Sequence, residues 1–378
     1  MKPRLLFHCQ HSLGLGHLVR TLALARSLAS AFEVTVVAGG ELPEQLELPS
    51  GVELVRLPAL ALADGGLVSV DDRYSVDSAQ RARAAVVLDT FRRLRPEVLV
   101  VELFPFGRKK LAGELLPLLT EAHVAGALVV SSLRDILVRG RSDQAAHDER
   151  ASLTANELFD VILVHADPGL VRLEETFRPR TPLSVPVEYT GFVVPETPLP
   201  APPAERTGPV VVSAGGGRFG SALLRTAAAM KLDVPVRLVA GPFFPAADWD
   251  ELQGMTRDGV ELVRAVPSLA AALVTARASV SQCGYNTALD LLRTRVPALV
   301  VPFAAPGEDE QTRRAALLER RGAVRVLAEA SLDPVALGEA VSRLIGTTPA
   351  LPGLQLDGAA RSCAILTGLA ATRRRGAA

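Results

Sequence analysis

Short, unbroken apolar runs alternate with segments of helical period along most of the chain, and the series runs twice. "RLLFHC", "FEVTVVA", "GVELVRL", "PEVLVVELF", "GALVVSSL" and "FDVILVHA" make the first series; "PVVVSAGGG", "PVRLVAG", "VELVRAVP", "ARASVSQCG", "PALVVPF" and "AVRVLA" make the second. Runs that are apolar throughout, rather than at every other residue, suit strands covered on both faces, as in parallel sheets. The intervening segments, such as "HLVRTLALARSLAS" and "GELLPLLTEA", carry helical spacing. Strand and helix in turn imply βαβ units and an α/β, doubly wound architecture. The two series are separated by "VVPETPLPAPPAERTGP", Val193 to Pro209, which has no apolar period and reads as a semi-rigid linker. The expected organisation is a domain over 1–192, a linker over 193–209, a second domain over 210–357 and a terminal helix over 358–378 that crosses back to the first domain. Ligands of open α/β sheets bind beyond the carboxyl ends of the strands, so two such domains facing each other would form a cleft.

Composition removes several classes of partner. The 41 basic residues are balanced by 41 acidic ones, which gives no electrostatic reason to expect nucleic acid. Cys9, Cys283 and Cys363 have no CxxC spacing and read as reduced thiols of a cytosolic protein. No apolar segment is long enough for a transmembrane span and the N-terminus lacks a signal-peptide core, so the expectation is a cytoplasmic protein, with peripheral contact at the inner membrane left open. The C-terminal "TRRRGAA" reads as a solvated tail.

Three glycine-bearing strand ends carry the chemistry. In the first, Gly14-Leu15-Gly16-His17 stands between a strand and a helix. Val19 replaces the third glycine of a dinucleotide fingerprint, and the next strand ends in Ala38-Gly39-Gly40 without a ribose-binding acid, which argues against a nicotinamide cofactor. The loop still offers a helix N-terminus to an anion. His17 reads either as a cap or core histidine or as a functional group. In the second, a strand runs into Gly215-Gly216-Gly217-Arg218, where backbone N–H groups could cradle a diphosphate; a flexible turn is the plainer reading. In the third, a strand ends at Cys283-Gly284, and Asn286 or Thr287 could cap the next helix. Asp290 lies one turn in, where it could accept from a ribose diol, and the following strand leads to Glu308, Asp309, Glu310 and Gln311, a carboxylate–amide run suited to sugar hydroxyls.

The motifs "QHSLGLGHLVRTLALA", "VELFPFGRKKLAGELLPLL", "SSLRDILV", "SVSQCGYNTALDLL" and "VPFAAPGEDEQTRRA" span both halves of the chain. Together they resemble glycosyltransferases of the GT-B fold, in the group holding the family 28 peptidoglycan N-acetylglucosaminyltransferases. The resemblance implies two Rossmann-like domains and no cofactor or metal. It implies a nucleotide-diphosphate sugar donor, uridine-linked, and a small-molecule, glycan or lipid-linked acceptor. It puts Gly14, Gly16 and His17 at the cleft, and Gly215, Gly216, Gly217, Arg218 and the start of the helix at Gly284 on the donor diphosphate. Val266 matches the position whose backbone holds the base. Asp290 matches the ribose-binding acid, which is usually glutamate, and Glu310 with Gln311 matches the pair on the donor sugar.

The expected reaction is a single inverting displacement in which a base takes the proton of an acceptor hydroxyl. His17 leads as that base, with Asp135 and Glu102 as rivals at strand ends, and Phe106, Arg108 and Arg134 are assigned to the acceptor side. A local ion pair at a helix start is the alternative for Arg134 and Asp135. A nucleotide-sugar hydrolase or 2-epimerase on the same fold, a paired-Rossmann oxidoreductase and a non-catalytic sugar-nucleotide sensor are the rival functions.

Overall fold

The computed structural model describes residues 2–11, 15–42, 46–63, 66–195, 198–216, 220–303, 308–350 and 353–377. The chain divides into two compact units: unit 1 holds 1–137, 141–195 and 354–378, and unit 2 holds 138–140 and 196–353.

Unit 1 begins β1 (Arg4–Cys9), α1 (Gly16–Leu28), β2 (Glu33–Ala38) and β3 (Val52–Arg56). A hairpin, β4 (Leu60–Ala63) with β5 (Gly66–Ser69), precedes α2 (Val76–Leu94). Then come β6 (Val98–Glu102), α3 (Ala112–Val124), β7 (Leu128–Arg134), α4 (Gln144–Leu158), β8 (Val161–His165), α5 (Leu173–Thr176) and β9 (Val187–Tyr189). Among the described residues the sheet has seven parallel strands in the order β3-β2-β1-β6-β7-β8-β9, with β1 pairing β2 on one side and β6 on the other. The chain therefore winds outward in both directions from β1, and the β1/β6 boundary is the point where a doubly wound sheet opens a crevice. All five residues of β6 and of β8 are buried, which is why their sequences are apolar without alternation. The core beneath is built from Leu5, Phe7, Leu24, Leu28, Val36, Val100 and Val130.

Unit 2 repeats the plan with β10 (Val210–Ser213), α6 (Ser221–Ala229), β11 (Val236–Val239), α7 (Ala246–Met255), β12 (Val260–Val263), α8 (Leu269–Val274), β13 (Ser279–Ser281), α9 (Tyr285–Thr294), β14 (Ala298–Val300), α10 (Glu310–Arg320), β15 (Arg325–Val326) and α11 (Pro334–Leu344). Its parallel order is β12-β11-β10-β13-β14-β15, so β10 and β13 flank the switch point.

Every apolar run of both series forms a strand. The β4–β5 hairpin and the three-residue β9 carry too little pattern to stand out in the sequence. The proline-rich stretch is held at both ends: Val193 is buried in the unit 1 core and bridges Asp357, and Gly208 bridges Ala276. Arg206 also donates to the Leu273 and Val274 carbonyls, at 2.9 and 2.6 Å.

The chain re-enters unit 1 at residue 354 and ends in α12 (Gly358–Ala377). A Cβ on Gly358 would stand 2.4 Å from the Gly191 carbonyl oxygen, so the re-entry turn admits only glycine. Leu366 and Ala370 of α12 join the unit 1 core. The expected solvated tail is corrected here. Arg373 pairs with Asp160 at 2.9 Å and donates to the Gly126 carbonyl at 2.9 Å, and Arg374 pairs with Glu97. These arginines continue the helix that packs on α1 and β7, and their partners lie at the amino ends of the strands, where sequence neighbours give no hint of them. Among the described residues no helix is long and apolar enough to cross a membrane.

Candidate functional site

In unit 1 the site grows from the carboxyl ends of β1 and β6. Leu15 takes the N-cap position of α1 without a side-chain cap bond, so His17 is not the cap of its helix. Its ring instead meets Glu102, the last residue of β6: Nδ1 lies against Oε1. The Glu102 side chain is fully buried while His17 keeps 19% of its side-chain surface exposed. Since a carboxylate can only accept, Nδ1 carries the hydrogen and Nε2 is the unprotonated nitrogen. Nε2 has no hydrogen-bond partner among the described residues.

Arg20, one turn on from His17 and 2% exposed, donates to the same Glu102 oxygen. Positions three apart share a helix face, which is how one buried face of α1 delivers both donors. Arg108 comes from the other side. After Glu102 the chain turns sharply at Leu103 (φ +65°) and through a cis Phe104–Pro105 bond, and Gly107 N–H closes the turn on the Leu103 carbonyl at 2.7 Å. Arg108 (φ +59°) then reaches back to the Gln10 carbonyl and stands 3.5 Å from Glu102 Oε2.

The electrostatics follow from this crowding. Burial pushes His17 down to about 4, against the pull of Glu102 and with the push of Arg108 and Arg20. Burial alone would raise Glu102, but His17, Arg20 and Arg108 outweigh it and hold the carboxylate below its usual range. Burial lowers Arg108 despite Glu102, and burial with Glu102 pushes the Cys9 thiol up to about 12. The result is a neutral imidazole backed by a permanent anion, an arrangement that can accept a proton at Nε2 and stabilise the imidazolium that forms.

Several expectations for unit 1 are corrected. Glu102 is not a rival base, because it is buried behind His17 and its oxygens are taken. Asp135 is 1% exposed and accepts from the Ile136 N–H at 2.9 Å, so it offers no open carboxylate. No helix starts at Arg134–Asp135: β7 ends at Arg134 and α4 begins at Gln144. Phe106 is 4% exposed, packs edge-on to Phe177 at 4.9 Å and gives its carbonyl to His147 at 3.1 Å, which makes it core rather than an acceptor contact. Arg108 belongs to the Glu102 cluster. Gly14 lies outside the described residues, and Gly16 opens α1.

Two buried networks were not foreseen. Arg83 on α2 forks onto Glu114 of α3 at 2.7 Å through both Nε and Nη2, and Glu114 also takes His8 at 3.0 Å. Arg83 further donates to Gln10 Oε1 at 2.8 Å and to the Gly39 carbonyl at 2.8 Å, so it ties the ends of β1 and β2 together. The second network centres on His165. Thr190 donates its hydroxyl hydrogen to the Gly191 carbonyl at 2.8 Å and so accepts from His165 Nδ1 at 2.9 Å; Nε2 then accepts from Ser132 at 2.8 Å. That is a satisfied core histidine, pushed down to about 3 by burial.

In unit 2 the matching strand ends are built of glycine and backbone. α6 and α9, which follow the switch-point strands β10 and β13, have Gly220 and Gly284 as N-caps and no side-chain cap bond. Two helix N-termini with glycine N-caps at a switch point suit a diphosphate. A Cβ on Gly241 (φ +99°) would stand 2.3 Å from the Gly215 carbonyl oxygen, so the turn after β11 packs directly on the turn after β10, where Gly216 follows. Gly217 and Arg218 lie outside the described residues. Asn286 and Thr287 do not cap α9; with Asp290 they form its partly exposed face. Burial raises Asp290 to about 6, opposed by Arg293 at 3.9 Å.

Gln311 Oε1 accepts from the Cys283 and Phe303 N–H groups, at 3.0 and 3.1 Å, and so clamps the ends of β13 and β14. Both partners are donors, which fixes the amide's orientation and turns its NH₂ outward from the clamp; among the described residues that nitrogen has no partner. Glu310, 7% exposed, is engaged by Arg314, which also donates to the Cys283 carbonyl at 2.9 Å. Val266 sits in the turn between β12 and α8, half-buried. Two hollows of about 390 and 450 Å³ lie elsewhere, one under the amino ends of β10–β12 and one beside β15, and neither is lined by any of these residues. Among the described residues no three His, Cys, Asp or Glu side chains are grouped to hold a metal ion.

Residues 244–351 match the glycosyltransferase family 28 C-terminal domain. The UDP-N-acetylglucosamine–N-acetylmuramyl-(pentapeptide) pyrophosphoryl-undecaprenol N-acetylglucosamine transferase of Solibacter usitatus is 30% identical over 169 residues, 42% of this chain and 46% of that protein. Its counterpart from Ralstonia nicotianae is 30% identical over 158 residues, 39% of this chain and 43% of that protein, so the match spans under half the length of these relatives. Solved structures align along the whole chain. TcCGT1 in complex with UDP superposes with a TM-score of 0.64 at 14% identity, covering 99% of this chain and 94% of that one. CalG4, the calicheamicin glycosyltransferase, gives 0.61 at 18%, covering 100% and 97%, and MurG of Acinetobacter baumannii gives 0.55 at 16%, covering 99% and 95%. The chain thus resembles the family 28 glycosyltransferases, carries their C-terminal domain over 244–351, and has the GT-B fold along its whole length.

Proposed function

We propose that this protein is an inverting glycosyltransferase that moves a sugar from a nucleoside-diphosphate donor, uridine-linked, to an acceptor hydroxyl. The observation that carries the reading is the His17–Glu102 pair: a buried carboxylate holds Nδ1–H and leaves Nε2 as the proton acceptor. Unit 1 supplies this base and the acceptor side. Unit 2, which carries the family 28 domain, supplies the donor side. The UDP-N-acetylglucosamine named for the curated relatives and the UDP bound to TcCGT1 support a uridine-linked donor.

As the acceptor oxygen attacks the anomeric carbon, Nε2 takes its proton and the bond from that carbon to the diphosphate breaks. The departing charge is met by N–H groups at the starts of α6 and α9 in place of a metal. Asp290 serves the ribose hydroxyls, and the Gln311 NH₂ serves the donor sugar. His17, at about 4 in the free protein, is a weak base, and any anion that approaches the ring would favour the imidazolium and raise it toward the operating pH.

A thermal-shift panel of nucleoside diphosphates tests the donor half. Uridine diphosphate at a hundredfold excess over its Kd should stabilise by about 2.7 kcal/mol without added metal. No shift with any nucleoside diphosphate sinks the donor assignment, and a strict need for magnesium sinks the metal-free mechanism. Incubating UDP-N-acetylglucosamine alone tests the reaction class, since rapid stoichiometric hydrolysis marks a hydrolase instead.

A further inference from the structure

The geometry points to Arg20 as a positioning residue that pins the Glu102 carboxylate so that His17 is held in one tautomer with Nε2 outward. This rests on the reading of His17 as the base. Three observations carry it. Arg20 and His17 converge on the same carboxylate oxygen, and Arg20 Nη2 is itself 3.4 Å from His17 Nδ1, so the three groups form one contact rather than two separate pairs. Both donors come from a single face of α1, so their spacing is set by the helix and not by flexible loops. And Arg20 is 2% exposed, a burial that an arginine tolerates only against a paired carboxylate. Without it Glu102 keeps a single close partner, because Arg108 stands 3.5 Å away on the other oxygen. The carboxylate could then rotate and offer His17 either oxygen, and Nδ1–H would lose its fixed direction.

The second consequence is electrostatic. Glu102 from β6, Arg20 from α1 and Arg108 from the turn after β6 act on the imidazole directly, and beyond them, facing these three groups, stand Arg134 at the end of β7, His165 from β8 and Cys9 from β1. Cys9 and His165 are neutral; burial is what chiefly opposes a proton on His17, Glu102 favours it, and Arg108 and Arg20 work against Glu102. Arg20 contributes to that opposition.

The test is a pH titration of histidine side-chain ¹⁵N–¹H correlations on the full chain, with His17 assigned by its loss in His17→Asn. Wild type should show the Nδ1–H tautomer and no protonation of His17 from about pH 5 to 8. Arg20→Met should raise the His17 midpoint by about one unit or more, the effect of removing a nearby like charge, and should mix the tautomers. Arg20→Lys, which keeps the charge, should return the midpoint toward wild type. A merely structural ion pair would lower the melting temperature and leave both readouts alone, and that result in a folded Arg20→Met protein overturns the proposal. If the methionine variant does not fold, Arg20→Gln keeps a neutral hydrogen-bonding chain of similar length and is read the same way. The base assignment fails separately: unchanged turnover of UDP-N-acetylglucosamine in His17→Ala removes it while the titration result stands.

Discussion

The carboxyl ends of the two sheets are architectural equivalents, yet one is filled with a cluster of buried charges and the other is mostly glycine and backbone, with the buried Glu310–Arg314 pair beside the end of β13. In unit 1, Glu102, Arg20, Arg108, Glu114 and Arg83 crowd the ends of β1 and β6. In unit 2 the matching ends of β10 and β13 carry Gly215, Gly220, Gly284 and the Gln311 amide clamp. A doubly wound sheet fixes where a ligand can approach but not what meets it. Buried charges suit moving a proton, since their field is strong and already oriented. Backbone N–H groups at helix N-termini suit holding an anion, since they need no counter-ion.

The contrast breaks most visibly at His17. His17→Ala should lower turnover by about 10²–10⁴-fold and leave uridine diphosphate binding nearly unchanged. His17→Asn keeps a hydrogen bond but cannot take the proton, and should be almost as slow. Rescue by asparagine in steady-state kinetics would make His17 a binding group instead.

Glu102→Gln should be next in size. It strands Arg20 and Arg108 without their carboxylate, and breaking a buried pair costs about 3–5 kcal/mol, readable in urea unfolding. A loss under about 1 kcal/mol, the range of an exposed pair, would show that the cluster is solvated in solution.

Asp290 sharpens the contrast, because it is the titrating group of the backbone-rich site. Its folded value, about 6, lies above the ordinary 3.8, so the native state binds the extra proton. Stability should therefore fall as pH rises from about 4 through 6, by up to about 2–3 kcal/mol, and stay lower above that window. Asp290→Asn should remove this slope and stabilise the free protein at neutral pH. The same substitution should weaken uridine diphosphate binding by about 1.5–3 kcal/mol, seen by calorimetry, if the carboxylate meets the ribose. Unchanged affinity removes Asp290 from the site.

The smallest effect belongs to the amino ends of the unit 1 strands. Arg373→Ala and Arg374→Ala remove partly exposed pairs to Asp160 and Glu97 and should each cost less than about 1 kcal/mol. A larger loss in thermal unfolding would mean that the α12 latch is cooperative with the core.

Most of the strands were legible, because burial on both faces writes itself as unbroken apolar runs, whereas their order in the sheets was not. β9 and the β4–β5 hairpin were not, being short and partly exposed. Of the site, His17 stood out by its place after two glycines, and Gln311 and Asp290 by their spacing from strand ends. The role of Glu102 could not be inferred that way: a carboxylate at a strand end reads the same whether it faces solvent or a neighbouring helix. Arg20 was within reach, since its three-residue offset from His17 puts both on one face of α1.

By itself the sequence determined two doubly wound α/β units, the three glycine-bearing strand ends, and the residue types available at each. Those follow from local period and from backbone conformations that few residues allow. Only the tertiary structure decided that Glu102 stands behind His17 rather than beside it as a second base, that Phe106 is core, that Glu310 turns onto Arg314, and that the terminal arginines grip Glu97 and Asp160. Each of these depends on partners from about four to more than 270 residues apart. Which way a charged side chain turns is set by the balance between desolvation and pairing, and that balance exists only once the chain has brought the partners together.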